Sequence, residues 1–456
     1  MGKYFGTDGF RGEANVTLTS DRAYKVGRFV GWLYSTQKGG DKARIVIGKD
    51  TRLSSYMLEY SIAAGITASG ADAYMLHVTT TPSVSYVTRV DGFDLGIMIT
   101  ASHNPYCDNG IKLIGRGGDK LDDRMTDLIE KYIDGELPDG ITGDLPFATG
   151  AGIGRIVDFA SGRNRYVGYL ISLASSSYKG LRIGLDAANG SAWMIARSVF
   201  DALGAKTYVI GAEPNGLNVN ESCGSTHIEA LVSLVKENSL DLGFAFDGDA
   251  DRCIAVDANG DVVDGDKIMY LLAKRMKQRG VLNKDTVVAT VMSNSGFVKS
   301  LENIGIHTEL TKVGDRYVYE RMQDGDYAIG GEQSGHVIIK KYATTGDGVL
   351  TAIMVCEQIC DSKSTLASLT REVELYPQYT ENVRVSDKEG AMNDASVLAE
   401  LREVEKIIDG NGRVLLRASG TEPVVRIMIE YKDKDALAEL ARRIADKIKE
   451  GGYADL

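Results

Sequence analysis

Short β-branched runs alternate with longer stretches of helical spacing along most of the chain. Arg44–Gly48 reads as a strand, and Ser55–Gly70 after it carries apolar residues three and four apart, as one helix face requires. The pairing recurs as a strand at Arg182–Leu185 before a helix over Trp193–Leu203, and a strand at Thr286–Val291 before a helix over Gly296–Ile304. Strand, polar loop and helix in repeated order predict an α/β fold with a largely parallel sheet.

Three runs share a sharper pattern. Asp94–Ile99, Asp241–Phe246 and Asp326–Gly330 each start at Asp, turn apolar and open onto a polar loop. Eight residues after the Asp stand Ser102, Asp249 and Ser334. Ligands of open α/β sheets bind outside the carboxyl ends of the strands. Three related units, each delivering one such loop to a shared cleft, account for the repeat. Gly135–Gly154 reads as a linker, and Asp257–Asp266 as the turn-rich close of a second unit. Beyond Leu375–Pro377 the pattern becomes strand (Asn382–Val385), helix (Ala395–Val404), two strands (Val414–Leu416, Val424–Glu430) and helix (Ala436–Lys449), a smaller α+β unit. Domains are expected at 1–150, 151–256, 257–374 and 375–456.

Charge narrows the partners. The 456 residues hold 52 basic and 63 acidic side chains, a balance of −11, which argues against binding nucleic acid or an anionic membrane and leaves room for a local basic pocket. Five cysteines with no CxxC pair are not a disulfide framework. Cys356 and Cys360, four apart in an apolar run, are expected on one buried helix face. The opening MGKYFGTDGFRGEAN lacks a signal-peptide core, and no apolar stretch is long enough to span a bilayer, so a reduced, cytoplasmic protein is expected.

Four segments carry chemistry. Asp247-Gly248-Asp249-Ala250-Asp251-Arg252 places three carboxylates at alternate positions at a strand exit, where their mutual repulsion calls for a cation. Hard oxygen ligands suit Mg²⁺; an EF-hand is excluded, because Arg252 and Ala258 stand where it needs Gly and Glu. Arg252 offsets the acids or holds a substrate phosphate. In Thr100-Ala101-Ser102-His103-Asn104-Pro105, Ser102 beside His103 suggests an activated or phosphorylated hydroxyl, and the GxSxG pattern of a hydrolase elbow is absent. Arg417-Ala418-Ser419-Gly420-Thr421-Glu422-Pro423, followed by Arg426, combines two guanidiniums, two hydroxyls and glycine N–H into a phosphate cradle. Gly331-Glu332-Gln333-Ser334-Gly335-His336 offers Glu332 and Ser334 to sugar hydroxyls and a histidine able to exchange protons. Lys112 and Arg11 are further cations near glycines, and no GxxxxGK loop is present.

In this order the four loops resemble those of the α-D-phosphohexomutase family, from Phe5-Gly6-Thr7-Asp8-Gly9 to Arg426. Phe5–Gly12 and Gly331–His336 are most similar to the branch acting on glucosamine phosphates, the alternative being phosphomannomutase/phosphoglucomutase with the same chemistry. Two departures are small: Ala250 stands where Gly is frequent, and Ala418 where Pro is common.

The resemblance implies three related α/β/α domains with mixed sheets and a smaller C-terminal α+β domain around a central cleft. It implies that Ser102 is a phosphoserine binding Mg²⁺ together with Asp247, Asp249 and Asp251. Arg11, Lys112, His336 and Arg252 would do acid/base or charge-stabilising work. His103, Glu332, Ser334, Arg417, Ser419, Gly420, Thr421 and Arg426 would bind substrate. A sugar 1,6-bisphosphate would serve as intermediate and activator, and a homodimer is the implied assembly. A Mg²⁺-dependent phosphohydrolase using Asp247 or Ser102 would instead release inorganic phosphate, and a sugar-phosphate sensor would bind without turnover.

Overall fold

The structure, a computed structural model, describes residues 2–6, 8–39, 41–138, 140–419 and 423–454. The chain divides into two compact units, 1–292 with 308–370, and 293–307 with 371–456. Three sheets are built on the first and one on the second.

The first sheet contains β1 (Phe5–Gly6), β2 (Gly9–Glu13), β3 (Arg44–Lys49), β4 (Asp72–Val78), β5 (Leu95–Ile99), β6 (Asp108–Ile114) and β7 (Ile156–Asp158), in the order β1-β2-β6-β5-β3-β4-β7. The second contains β8 (Arg182–Asp186), β9 (Lys206–Ile210), β10 (Leu242–Phe246), β11 (Cys253–Asp257) and β12 (Val262–Val263), ordered β12-β11-β10-β8-β9. The third contains β13 (Thr286–Thr290), β14 (His307–Thr311), β15 (Ile329–Gly331) and β16 (Val337–Ile339), ordered β14-β13-β15-β16.

The repeat read from the sequence occupies one topological position in all three sheets. β5, β10 and β15 each pair in parallel with a strand on one side, β3, β8 and β13 respectively. Each then returns through its polar loop to an antiparallel neighbour, β6, β11 and β16. A largely parallel sheet is therefore not what forms. β3 pairs in parallel with β4 and β5, while β1–β2, β2–β6 and β5–β6 are antiparallel. Returning strands such as β11 are buried along their whole length, so their patterning cannot be told from that of a parallel strand. In the third repeat the strand starts only at Ile329, because Asp326 is the left-handed cap (φ 54°) of the helix Asp315–Gly325.

The helices lie within two residues of expectation: Leu53–Ala68, Ala192–Ala202 and Ser295–Asn303. Leu145 from the stretch 135–154 is buried in the first core, β7 after it joins the edge of the first sheet through β4, and β12 closes the second sheet against β11. Cys356 is buried on the helix Gly348–Ser362, whereas Cys360 is only partly covered.

The second unit consists of β17 (Gln378–Arg384), β18 (Gly412–Ala418) and β19 (Val424–Tyr431), all antiparallel in the order β17-β19-β18, backed by the helices Ala395–Ile408 and Leu437–Glu450. Ile427, Ile429, Leu440, Ile444 and Ile448 make its core. The helix Ser295–Asn303 groups with this unit: Asn294 donates to the Tyr376 carbonyl and accepts from the Tyr376 N–H, both at 2.9 Å.

In the first unit an ion pair lies under β3: Lys49 and Glu59 are 2 % and 1 % exposed and bond to each other. Glu59→Ala leaves a buried ammonium without its counter-charge and is expected to cost about 3–5 kcal/mol. Calorimetry should show the first unfolding transition moving to lower temperature.

Candidate active site

Ser102 follows β5 in a left-handed conformation (φ 53°), with its N–H anchored 3.0 Å from Thr100 Oγ1. Its carbonyl accepts from Arg52 Nη2 at 2.9 Å and from Asn220 Nδ2 at 2.8 Å. Arg52 also donates to the carbonyls of Asn104 and Pro105, and is itself held by Asp50 at 2.8 Å. The loop is thus fastened through its main chain, leaving the hydroxyl for chemistry. Ser102 is 1 % exposed; its Oγ donates to Asp247 Oδ2 at 2.5 Å, with His103 Nδ1 at 3.3 Å.

Opposite stands the β10–β11 loop. Asp247, Asp249 and Asp251 are all buried and offer carboxylate oxygens within 4.8 Å of one another. Asp249 Oδ1 and Asp251 Oδ1 are buried with no hydrogen-bond partner. Unpartnered buried carboxylate oxygens are costly, and this donor set of hard oxygens fits a divalent cation such as Mg²⁺. Burial and the neighbouring carboxylates push Asp247 well above the usual range. Burial also opposes ionisation of Asp251, but Lys112 and His336 outweigh it and hold its carboxyl well below the usual range. Ala250, at φ 56°, sits where glycine would carry no steric penalty; an alanine there costs about 1–2 kcal/mol.

Lys112 on β6 is 3 % exposed, with Nζ 2.7 Å from Asp249 Oδ2 and 2.9 Å from Asp251 Oδ2. Burial alone would lower its pKa, yet Asp249, Asp251 and Asp8 raise it well above the ordinary value. Thr81 also donates to Asp249 Oδ2. His336, at the start of β16, lies 3.6 Å from Asp251 and 3.6 Å from Asp315, and its Nε2 faces the Gly346 N–H at 3.0 Å. Burial works against its protonation, but these carboxylates lift it to about 9. In the neutral ring, Nε2 accepts from the Gly346 N–H and the single ring proton sits on Nδ1, facing Asp251. His103 moves the other way, down to about 4, through burial and the charges of Arg252 and Arg11.

Arg252 gives its N–H to Asp247 Oδ1 at 3.2 Å and shares a cavity of about 410 Å³ with Gln333 and Ser334. Glu332 accepts from the Gly314 N–H at 3.0 Å, and Gln333 donates to Asp264 at 3.2 Å. Arg11 bonds Asp8 and reaches Asn104 Oδ1 at 3.5 Å.

In the second unit, Arg417 and Arg426 are register partners on β18 and β19. Two like charges directly opposite are unfavourable unless an anion lies across them. Ser419 follows, its N–H bonded to the Val424 carbonyl and its own carbonyl accepting from Lys388 Nζ at 2.8 Å. Gly420 and Thr421 lie outside the described residues.

Sequence reading missed several supports: Arg52, Thr81, Asn220, Lys388, and the chain Asp8–Lys120–Asp315, in which Lys120 bonds Asp8 at 2.9 Å and Asp315 at 2.7 Å. Only Asp50-Thr51-Arg52, a polar turn after a strand, carried a local signal. Space matters as well. A Cβ on Gly248 would sit 2.5 Å from the Ser102 carbonyl oxygen. Gly248→Ala is expected to keep the fold and cost about 10²-fold in turnover by displacing the serine loop, which steady-state kinetics beside circular dichroism will check.

Comparison with known proteins places the chain. Four family models match it: phosphoglucomutase/phosphomannomutase alpha/beta/alpha domain I over residues 2–138, domain II over 164–260, domain III over 264–376, and the C-terminal domain over 381–447. The phosphoglucosamine mutase of Lachnospira eligens is 58% identical over 454 residues, covering 100% of both chains. That of Lachnoclostridium phytofermentans is 55% identical, covering 99% of both. Among solved structures, a phosphoglucomutase/phosphomannomutase family protein of Burkholderia thailandensis matches with a TM-score of 0.79 at 24% identity, over 100% of both chains. The Aspergillus fumigatus N-acetylphosphoglucosamine mutase, solved with GlcNAc-6P and magnesium, matches at 0.68 and 17% identity, over 98% of this chain and 96% of that one. These likenesses carry the four-domain α/β architecture. No helix among the described residues is long and apolar enough to cross a membrane.

Proposed function

The chain belongs to the phosphoglucosamine mutase family, and on that premise we propose that it interconverts glucosamine 6-phosphate and glucosamine 1-phosphate through a phosphorylated Ser102. Such an enzyme supplies the precursor of UDP-N-acetylglucosamine. One observation carries the reading: the Ser102 hydroxyl lies 2.5 Å from Asp247, at the edge of a buried carboxylate cluster with two oxygens short of a hydrogen-bond partner.

Phosphorylated Ser102 gives its phosphoryl group to the free sugar hydroxyl. The Oγ–P bond breaks as the new P–O bond forms, and the hydroxyl proton passes to a base. The resulting 1,6-bisphosphate turns over, and Ser102 recovers the other phosphate. Asp247, Asp249 and Asp251, with the phosphorylated serine, would hold Mg²⁺, which supplies charge neutralisation for the transferring group. Arg11 and Arg252 stabilise charge, Lys112 and His336 do acid/base or charge-stabilising work, and His103, beside the Ser102 hydroxyl, binds substrate. Glu332 and Ser334 hold the sugar hydroxyls, while Arg417, Ser419, Gly420, Thr421 and Arg426 hold the phosphate that stays in place. The four domains would divide near residues 150, 256 and 374, and a homodimer is part of the reading.

The test is kcat/KM for glucosamine 1-phosphate, glucose 1-phosphate and mannose 1-phosphate, with Mg²⁺ and a sugar bisphosphate present. A preference of about 10²-fold or more for the amino sugar is expected. Preference for a neutral hexose would keep the chemistry and overturn the substrate. Stoichiometric release of inorganic phosphate without isomer would overturn the mutase reading.

A further inference from the structure

A cavity of about 360 Å³ opens in the first unit, and none of the candidate active-site residues lines it. Its floor is apolar and deeply buried: Leu272 is 2 % exposed, Ile339 1 % and Met354 9 %. Three cations stand around it: Arg275 on the helix Gly265–Gln278, Arg279 just past that helix, and Lys341 after β16. The volume lies within the range that takes a small organic ligand.

The charge of this lining is one-sided. Glu357 is its only carboxylate, and that group is already engaged by the Ser175 N–H at 3.1 Å, the Ser175 hydroxyl and the Ser176 N–H at 3.1 Å. Asp361, outside the lining, bonds both Arg275 and Arg279, which orders the two guanidiniums side by side. Each guanidinium carries five N–H donors in a fixed fork. Asp361 and the Met354 carbonyl occupy only some of those on Arg275, and Asp361 only some on Arg279. Paired guanidiniums with open donors beside an apolar floor are a recognition element for an oxyanion with an apolar body.

We propose that this cavity is a second ligand site, taking an amphiphilic organic anion whose apolar body rests on Leu272, Ile339 and Met354 and whose carboxylate, sulfonate or phosphate meets Arg275, Arg279 and Lys341. A sugar phosphate does not suit it, since the floor offers no partner to a ring of hydroxyls.

The probe is 8-anilinonaphthalene-1-sulfonate, an apolar-bodied monoanion, titrated into the full-length enzyme and followed by its fluorescence. The expected result is a saturable rise at one site per chain that glucose 1,6-bisphosphate does not displace. Arg279→Gln with Lys341→Gln, both exposed positions, should weaken binding about tenfold while mutase turnover stays at the wild-type value, which certifies the fold. Arg279→Lys alone, which keeps the charge and loses the fork, should weaken binding by less than the double variant does. A rise that never saturates, one displaced by the bisphosphate, or one unchanged in the double variant would each overturn the proposal.

Discussion

Ser102→Ala should lower mutase turnover by about 10³-fold or more while leaving the thermal transition in place. The separation of these effects follows from how the loop is held. Thr100 Oγ1 fixes the Ser102 N–H, Arg52 and Asn220 fix its carbonyl, and none of these three bonds involves the Ser102 Oγ. Removing the hydroxyl therefore deletes the nucleophile and one bond to Asp247, but not the geometry that presents it. Intact mass spectrometry after incubation with a sugar bisphosphate gives the second readout: the wild-type chain should gain one phosphoryl group and the variant none. Near-normal turnover in the variant would remove Ser102 from the mechanism.

Asp249→Asn is expected to act on metal affinity and turnover together. The two oxygens of Asp249 have different surroundings. Oδ2 takes bonds from Lys112 and Thr81, while Oδ1 is buried without a hydrogen-bond partner and is the atom a cation would engage. The substitution keeps the shape and removes one negative charge from the triad. The Mg²⁺ concentration for half-maximal activity should rise about 10–100-fold, with calorimetric Mg²⁺ binding weakening in parallel. Chelation of the wild-type enzyme should abolish turnover, and added Mg²⁺ should restore it. An unchanged Mg²⁺ titration in the variant would contradict the ligand assignment.

What could be read from the sequence was what is dense along the chain. Three carboxylates within five residues declare themselves, as does a run of Asp and apolar residues occurring three times. The supports of the site are sparse by comparison. Lys120 meets Asp315 across 195 positions, Asn220 reaches the Ser102 carbonyl across 118, and Thr81 bonds Asp249 across 168. Each is a lone polar residue whose meaning comes from a partner far away along the chain, and no local period encodes that. Strand direction was hidden for a related reason. β5, β10 and β11 are buried along their whole length, so a returning antiparallel strand and a parallel one look alike.

The hairpin that recurs as β5–β6, β10–β11 and β15–β16 gives this architecture a division of labour. One copy holds the serine, the second the acidic triad, and the third Glu332 and His336, each on its own scaffold. Because every loop starts from the same kind of paired strand, its length and side chains can drift without disturbing the register of the other two. Under the proposed reading, the third copy can change which sugar is taken while phosphoryl transfer stays with the first two. A fold that repeats one hairpin three times can therefore take a different hexose phosphate through a change in a single loop, with no new catalytic centre required.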